Sequence, residues 1–310
     1  MKTLPAAAAA LLATALAAAP LAAADFPNRP VRIIVPFSAG SATDILARAI
    51  SVRLTDMWGQ QVLVDNRPGA GGTLGANLVV RANPDGYTLL SVSTAHAVAA
   101  AIYPKLPYDT TRDLAGITLS AVSKYVLVVS PALGIRSLKD LLALARAKPG
   151  TLNFSSAGVG SGTHFAAEIL KSMAKIDVVH VPFKGIPEAL TDVIGGRVDF
   201  LMVPIVAGLA QIKAGKVQAL AVGTNKRSAV LPDLPALVET YPGSGFDGWF
   251  GLLTSSKTPR DVVARLLRLK RGDQVREEQP DQRGKGADHL GLHHEIDCVR
   301  PPPNVPEGEI

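Results

Sequence analysis

The chain holds one cysteine, Cys298. One thiol makes no disulfide framework, and a chain of 310 residues can bury a core without one. Beyond the N-terminus no stretch reaches the roughly 18 consecutive apolar residues of a membrane-spanning helix. Aromatics are sparse, and the basic residues behind the net charge of +6 are scattered. That pattern argues against a nucleic-acid surface, though a mildly positive exterior would attract an anionic ligand. The Gly69, Gly71, Gly72, Gly75 cluster does not spell G-x-G-x-x-G, and no G-K-[ST] follows a strand. It reads as a tight strand-to-helix turn, with no nucleotide and no cofactor expected. Ser156 or Ser161 beside His164 invites a hydrolase reading. There is no G-x-S-x-G elbow and no acid placed to orient the histidine, so no enzyme is expected.

The N-terminus is distinctive. Lys2 precedes an almost unbroken Ala/Leu stretch, and Ala22-Ala23-Ala24 stands before Asp25. This is the pattern of a cleaved secretory signal over residues 1–24, too short in its apolar part to span a bilayer. No cysteine sits near its end for lipid attachment. A free periplasmic protein is expected.

The rest alternates strand-like and helix-like segments. Apolar runs predict strands at 31–37, 61–64, 87–92, 125–129, 152–155, 178–181, 198–202 and 217–222. Periodic segments predict helices at 43–58, 73–82, 138–148, 163–173, 188–194 and 206–213. Such alternation implies an α/β architecture with mainly parallel sheets. Ligands of such folds sit at the carboxyl ends of strands. Two loops of small residues fall there: Phe37-Ser38-Ala39-Gly40-Ser41-Ala42-Thr43, and Ser155-Ser156-Ala157-Gly158-Val159-Gly160-Ser161-Gly162-Thr163-His164. Each leads from a strand into a helix. The first amides of a helix have no internal partner and carry partial positive charge, and small side chains let a ligand approach them. Two such loops more than 100 residues apart suggest one small anion gripped from two sides.

A longer series of motifs makes a resemblance specific. In order they are Arg32-Ile33-Ile34-Val35-Pro36-Phe37, Asn66-Arg67-Pro68-Gly69-Ala70-Gly71-Gly72, Pro84-Asp85-Gly86-Tyr87-Thr88-Leu89-Leu90, Leu106-Pro107-Tyr108-Asp109, Ser156-Ala157-Gly158, His180-Val181-Pro182-Phe183-Lys184-Gly185, Ile212-Lys213-Ala214-Gly215-Lys216 and Trp249-Phe250-Gly251-Leu252-Leu253. Over about residues 25–268 the chain resembles the Bug family, the extracytoplasmic solute receptors of tripartite tricarboxylate transport systems. The resemblance implies a two-lobe, type II periplasmic-binding-protein fold, with residues 25–122 plus 244–268 as lobe 1 and 123–243 as lobe 2. It implies a small carboxylate ligand, membrane transporter subunits as partners, and a monomer. On matching positions, Phe37, Ser38, Ala39, Gly40 and Thr43 form one side of the site. Ser156, Ala157, Gly158, Ser161 and Thr163 form the other, with Ser93, Thr94 and His96 as weaker candidates. A sensor or orphan receptor of the same fold, and a defective truncated copy, are the alternatives.

Three departures from the family pattern stand out. Ser41 occupies the second position of a Gly-Gly pair; either the loop differs locally or its hydroxyl joins the site. Val203-Pro204-Ile205-Val206 is apolar where many members carry a polar residue, which favours a ligand with an apolar body. From 269 to 310 the composition turns charged and Gly-, Gln- and Pro-bearing, with no sustained period. This tail reads as disordered and as the mark of a shifted reading frame or a truncated copy. Its His289, His293, His294, Asp297 and Cys298 have no core to set their geometry, so no metal site is expected.

Overall fold

The computed structural model describes residues 26–267. The expected signal at 1–24 and the tail at 269–310 lie outside them. Strand β1 (Val31–Val35) is β-branched and buried at all positions but Arg32. It leads through the first loop into helix α1 (Ala42–Trp58), which Gly59 ends in a left-handed cap with φ 63°. Then follow β2 (Val62–Asn66), α2 (Thr73–Arg81), β3 (Thr88–Ser93), α3 (Thr94–Ile102) and the long β4 (Leu114–Val129). The second stretch runs α4 (Leu138–Ala147), β5 (Asn153–Ser156), α5 (Gly162–Ala174), β6 (Val179–Pro182), α6 (Ile186–Ile194), β7 (Phe200–Pro204), α7 (Ile205–Lys213) and β8 (Gln218–Val222). It closes with β9 (Asp247–Ser255) and α8 (Arg260–Leu267).

The strands join in the order β2-β1-β3-β9-β4-β7-β5-β6, with β8 also on β4. Strand β4 is shared. Leu114 to Lys124 pair with β9, whereas Tyr125 to Val129 pair with β7 and Val126 to Val129 with β8. Each half of the sheet carries helices on both faces. Val31, Ile33 and Val35 pack with Ala47 and Leu54 of α1 and Leu266 of α8, while Ile34 and Leu90 face Ala76 and Val79 of α2. In the other half, Leu127 and Phe154 lie under α4 and α5, and Val126 and Leu201 under α6.

The sheet is mixed, which corrects the expectation of mainly parallel pairing. The pairs β1–β2, β1–β3, β5–β6 and β5–β7 are parallel, but every pair made by β4 or β9 is antiparallel. Both strands were poorly legible. The first part of β4 carries Gly116, Thr118, Ser120 and Ser123, and β9 carries Gly248 and Gly251, so neither shows a clean apolar period.

Candidate ligand site between two helix-capping loops

Five helices begin around one small chamber. Its walls are Ser41, Ala42 and Thr43 at the start of α1, Ser93 before α3, Ser161, Gly162 and Thr163 at the start of α5, Ile186 at the start of α6 and Pro204 before α7. Phe37, Tyr125, Ala157 and Phe250 complete it. Among the described residues, no Arg, Lys, Asp or Glu lines it. Its polarity therefore comes from hydroxyls and from helix amides without internal partners, each helix end contributing partial positive charge.

Ser41 takes ordinary extended geometry, φ −69° and ψ 159°, which needs no glycine. Its hydroxyl accepts the Ile186 amide at 3.2 Å and thereby ties the first loop to α6. Beneath that loop lies the buried carboxylate of Asp44. It accepts the Gly40 amide at 2.8 Å, Arg48 Nε at 2.9 Å and Asn66 Nδ2 at 2.9 Å. Asn66 also donates to the Phe37 carbonyl at 3.0 Å. Burial pushes the Asp44 carboxyl up, but the Arg48, Gly40 and Asn66 hydrogen bonds outweigh it and hold the group below the usual range.

The second loop is closed by its own side chains. Ser161 caps α5 by accepting the His164 amide at 3.2 Å, and Thr163 Oγ1 accepts the Ala157 amide at 2.8 Å. Ser156 Oγ accepts the Gly158 amide at 3.0 Å and meets His180 Nε2 at 2.6 Å. The Ser–His contact thus involves His180, not His164. Ser156 is fully buried, so this hydroxyl serves the loop.

The expected residues divide. Phe37, Ser41, Thr43, Ser93, Ala157, Ser161 and Thr163 line the chamber. Ser38, Ala39 and Gly40 stand off its walls, Gly40 with its amide engaged by Asp44. Thr94 Oγ1 accepts the Trp249 amide at 3.1 Å, and Ser156 acts within its loop. His96 borders a narrow pocket behind Phe37. Tyr125, Ile186, Pro204 and Phe250 were missed, because their nearness to the loops is purely tertiary.

Gly158 and the Gly69-Ala70-Gly71-Gly72 loop open instead on an outer cavity of about 520 Å³. Tyr103, Phe183, Lys184 and Glu188 also line it. Phe37 and Ala157 border both spaces and form the partition between them. The glycine loop is therefore more than the turn expected from sequence; it is a cavity wall.

Comparison with known proteins gives the family. Residues 46–273 match the tripartite tricarboxylate transporter family receptor profile, and the chain belongs to that family. It is 40% identical over 243 residues to the UPF0065 protein in the tcbD-tcbE intergenic region of Pseudomonas sp. strain P51, covering 78% of this chain and 72% of that one. It is 35% identical over 260 residues to BugT of Bordetella pertussis, covering 83% and 80%. Among solved structures it resembles Rpa4515 of R. palustris with adipate, at 34% identity and TM-score 0.76 over 78% of this chain and 82% of that one. MatC of Rhodopseudomonas palustris with bound malate gives 33% and 0.75 over 78% and 83%. The periplasmic binding protein BugD gives 31% and 0.77 over 82% and 86%. The two-lobe binding-protein fold and the solute-receptor class follow. No helix among the described residues is long and apolar enough to cross a membrane.

Proposed function

We propose that this receptor binds a small carboxylate between its lobes and delivers it to a tripartite tricarboxylate-type membrane transporter. One observation carries the reading: the N-termini of α1 and α5, from opposite halves of the sheet, meet at one chamber that holds no charged side chain among the described residues. A carboxylate head there would meet the amides of Ala42, Thr43, Gly162 and Thr163. Each hydrogen bond to a charged group is worth roughly 1.5–3 kcal/mol. Three or four of them, less ordering costs, reach the ~8 kcal/mol of micromolar affinity. The chamber's volume of about 20 Å³ admits one water-sized group, so the loops must part before a carboxylate enters.

The ligand's body would extend past Phe37 and Ala157 into the outer cavity. Pro204 gives the inner chamber an apolar wall, while Lys184 and Glu188 on the outer cavity would face a polar far end of the ligand. Lobe boundaries at 122/123 and 243/244 belong to the same reading. They are supported by the change of β4's partners at Lys124 and Tyr125. So do export to the periplasm through the 1–24 signal, action as a monomer, and the absence of an enzymatic role.

Calorimetry against a panel including adipate and malate tests the binding half. Saturable binding of at least one carboxylate is expected, and binding of neutral sugars or cations alone would overturn it. Uptake of the identified acid by cells tests delivery. It should be lost on deleting either the receptor or the transporter's membrane subunits; uptake that survives both deletions overturns delivery.

A further inference from the structure

Two imidazoles stack beneath the second loop. The rings of His164 and His180 lie 4.1 Å apart at 29°, and Phe154 stacks on His180 at 4.8 Å. Each ring meets a different part of the loop. His164 Nδ1 accepts the Gly160 amide at 3.3 Å. His180 Nε2 meets Ser156 Oγ, which accepts the Gly158 amide and can direct its own proton to the ring or to the Gly158 carbonyl at 3.2 Å. Gly158 and Gly160 both have left-handed backbone, φ 109° and 79°, and flank Val159. The two rings therefore set the turn that lies on the cleft.

The chemistry of these contacts depends on charge. A neutral imidazole has one acceptor nitrogen; an imidazolium has none. Once protonated, His164 would turn an N–H toward the Gly160 N–H. Two stacked imidazoliums would also repel at this distance. The charged groups facing the rings are few. Glu168 Oε1 lies 3.9 Å from His164 Nε2, and Lys171 lies 3.6 Å from Glu168. Strand β5 contributes Phe154 and Ser156, both uncharged.

We infer that His164, stacked on His180, is a positioning residue for the ligand loop, holding the Gly160 amide for a carboxylate-ready turn while neutral and releasing it when it takes a proton. This rests on the carboxylate reading above. The environment favours the neutral pair. Burial pushes His180 down to about 4, with the His164 and Lys171 charges adding to it. Burial also lowers His164; Glu168 opposes that and Lys171 adds to it.

Amide hydrogen exchange on the full chain without ligand tests this between about pH 7.5 and about pH 4.5, corrected for intrinsic exchange. Protection at Gly160 should fall about tenfold or more across that span, and further than at Gly158, whose acceptor is the Ser156 hydroxyl. Gly40, held by the Asp44 carboxylate, should keep its own. In the variant His164→Asn an amide oxygen replaces the acceptor nitrogen and does not titrate, so the fall should vanish. If that variant does not fold, the wild-type comparison of Gly160 with Gly158 and Gly40 decides. Protection that ignores pH in the wild type, or a fall that persists in the variant, overturns the proposal. With malate and adipate as probes, affinity should fall more steeply with acid in the wild type than in the variant, which cancels protonation of the probe. Failure of either acid to bind at any pH would count against the carboxylate reading while the exchange result still judges the histidines. Binding with unaltered loop protection would count against the histidines alone.

Discussion

The phenol of Tyr103 donates a 2.9 Å hydrogen bond to the carbonyl of Val159. Tyr103 follows α3 in one half of the molecule, and Val159 sits at the tip of the second loop in the other. The bond spans the mouth of the outer cavity and holds the two halves together. Tyr103→Phe keeps the ring and removes the bond. A hydrogen bond of this kind contributes about 0.5–1.5 kcal/mol, so affinity should fall roughly two- to tenfold. Stopped-flow measurement should place the loss in the dissociation rate. An unchanged dissociation rate would mean the bond is not part of the closed, ligand-holding state.

Gly71 approaches the same carbonyl. A Cβ there would stand 2.3 Å from Val159 O and 2.7 Å from Tyr103 Oη, on a backbone with φ 61°. Gly71→Ala should therefore keep the halves apart. Affinity should drop by about tenfold or more, and the ligand-free protein should lose roughly 1–2 kcal/mol of stability to the left-handed alanine. Unchanged affinity in the folded variant would contradict this.

Gly162, the first residue of α5, has no room for a side chain either. A Cβ would lie 2.2 Å from Tyr125 Oη. Gly162→Ala should destabilise the fold by about 1–3 kcal/mol, as overpacking of a buried contact does. Adding Tyr125→Phe removes the clashing oxygen and leaves Cζ at 3.3 Å. The double variant should recover most of the loss in chemical denaturation; strictly additive losses would refute the clash.

Asp44 organises the first loop through its bonds to Gly40, Arg48 and Asn66. Asp44→Ala should lower stability by about 2 kcal/mol or more, since hydrogen bonds to a charged group are lost together. The pH dependence has a definite sign. The folded carboxyl is held below its ordinary value of 3.8. Its stabilising contribution is thus fully present above that value and is lost as pH falls through the lowered folded value. Denaturation midpoints in acid should decline more steeply for the wild type than for Asp44→Ala. Parallel curves would show that Asp44 does not couple protonation to folding.

How much of this was legible in the sequence can be argued residue by residue. Both small-residue loops could be read, because a strand, a turn and a helix start are written in consecutive residues. Ser38, Ala39 and Gly40 belong to the same local pattern, yet they stand off the chamber, since the pattern does not say which side of a turn faces inward. The reading of His164 was incomplete. Its partner ring comes from β6, and Glu168, one turn along α5, faces it at 3.9 Å.

The sequence by itself determined the alternation of elements, the two helix-opening loops and the membership signalled by motifs from Arg32 to Leu253. Those features depend on short-range periodicity, caps and turns, which neighbouring residues dictate. Only the tertiary structure decided that β4 and β9 run antiparallel through the middle of the sheet, that Tyr125 and Phe250 wall the chamber, and that Tyr103 reaches Val159. Tyr125 is separated from Gly162 by more than 30 residues, and Gly71 from Val159 by more than 80. Contacts of that kind arise when strand pairing brings distant backbone segments together, and no local pattern in either segment encodes the other.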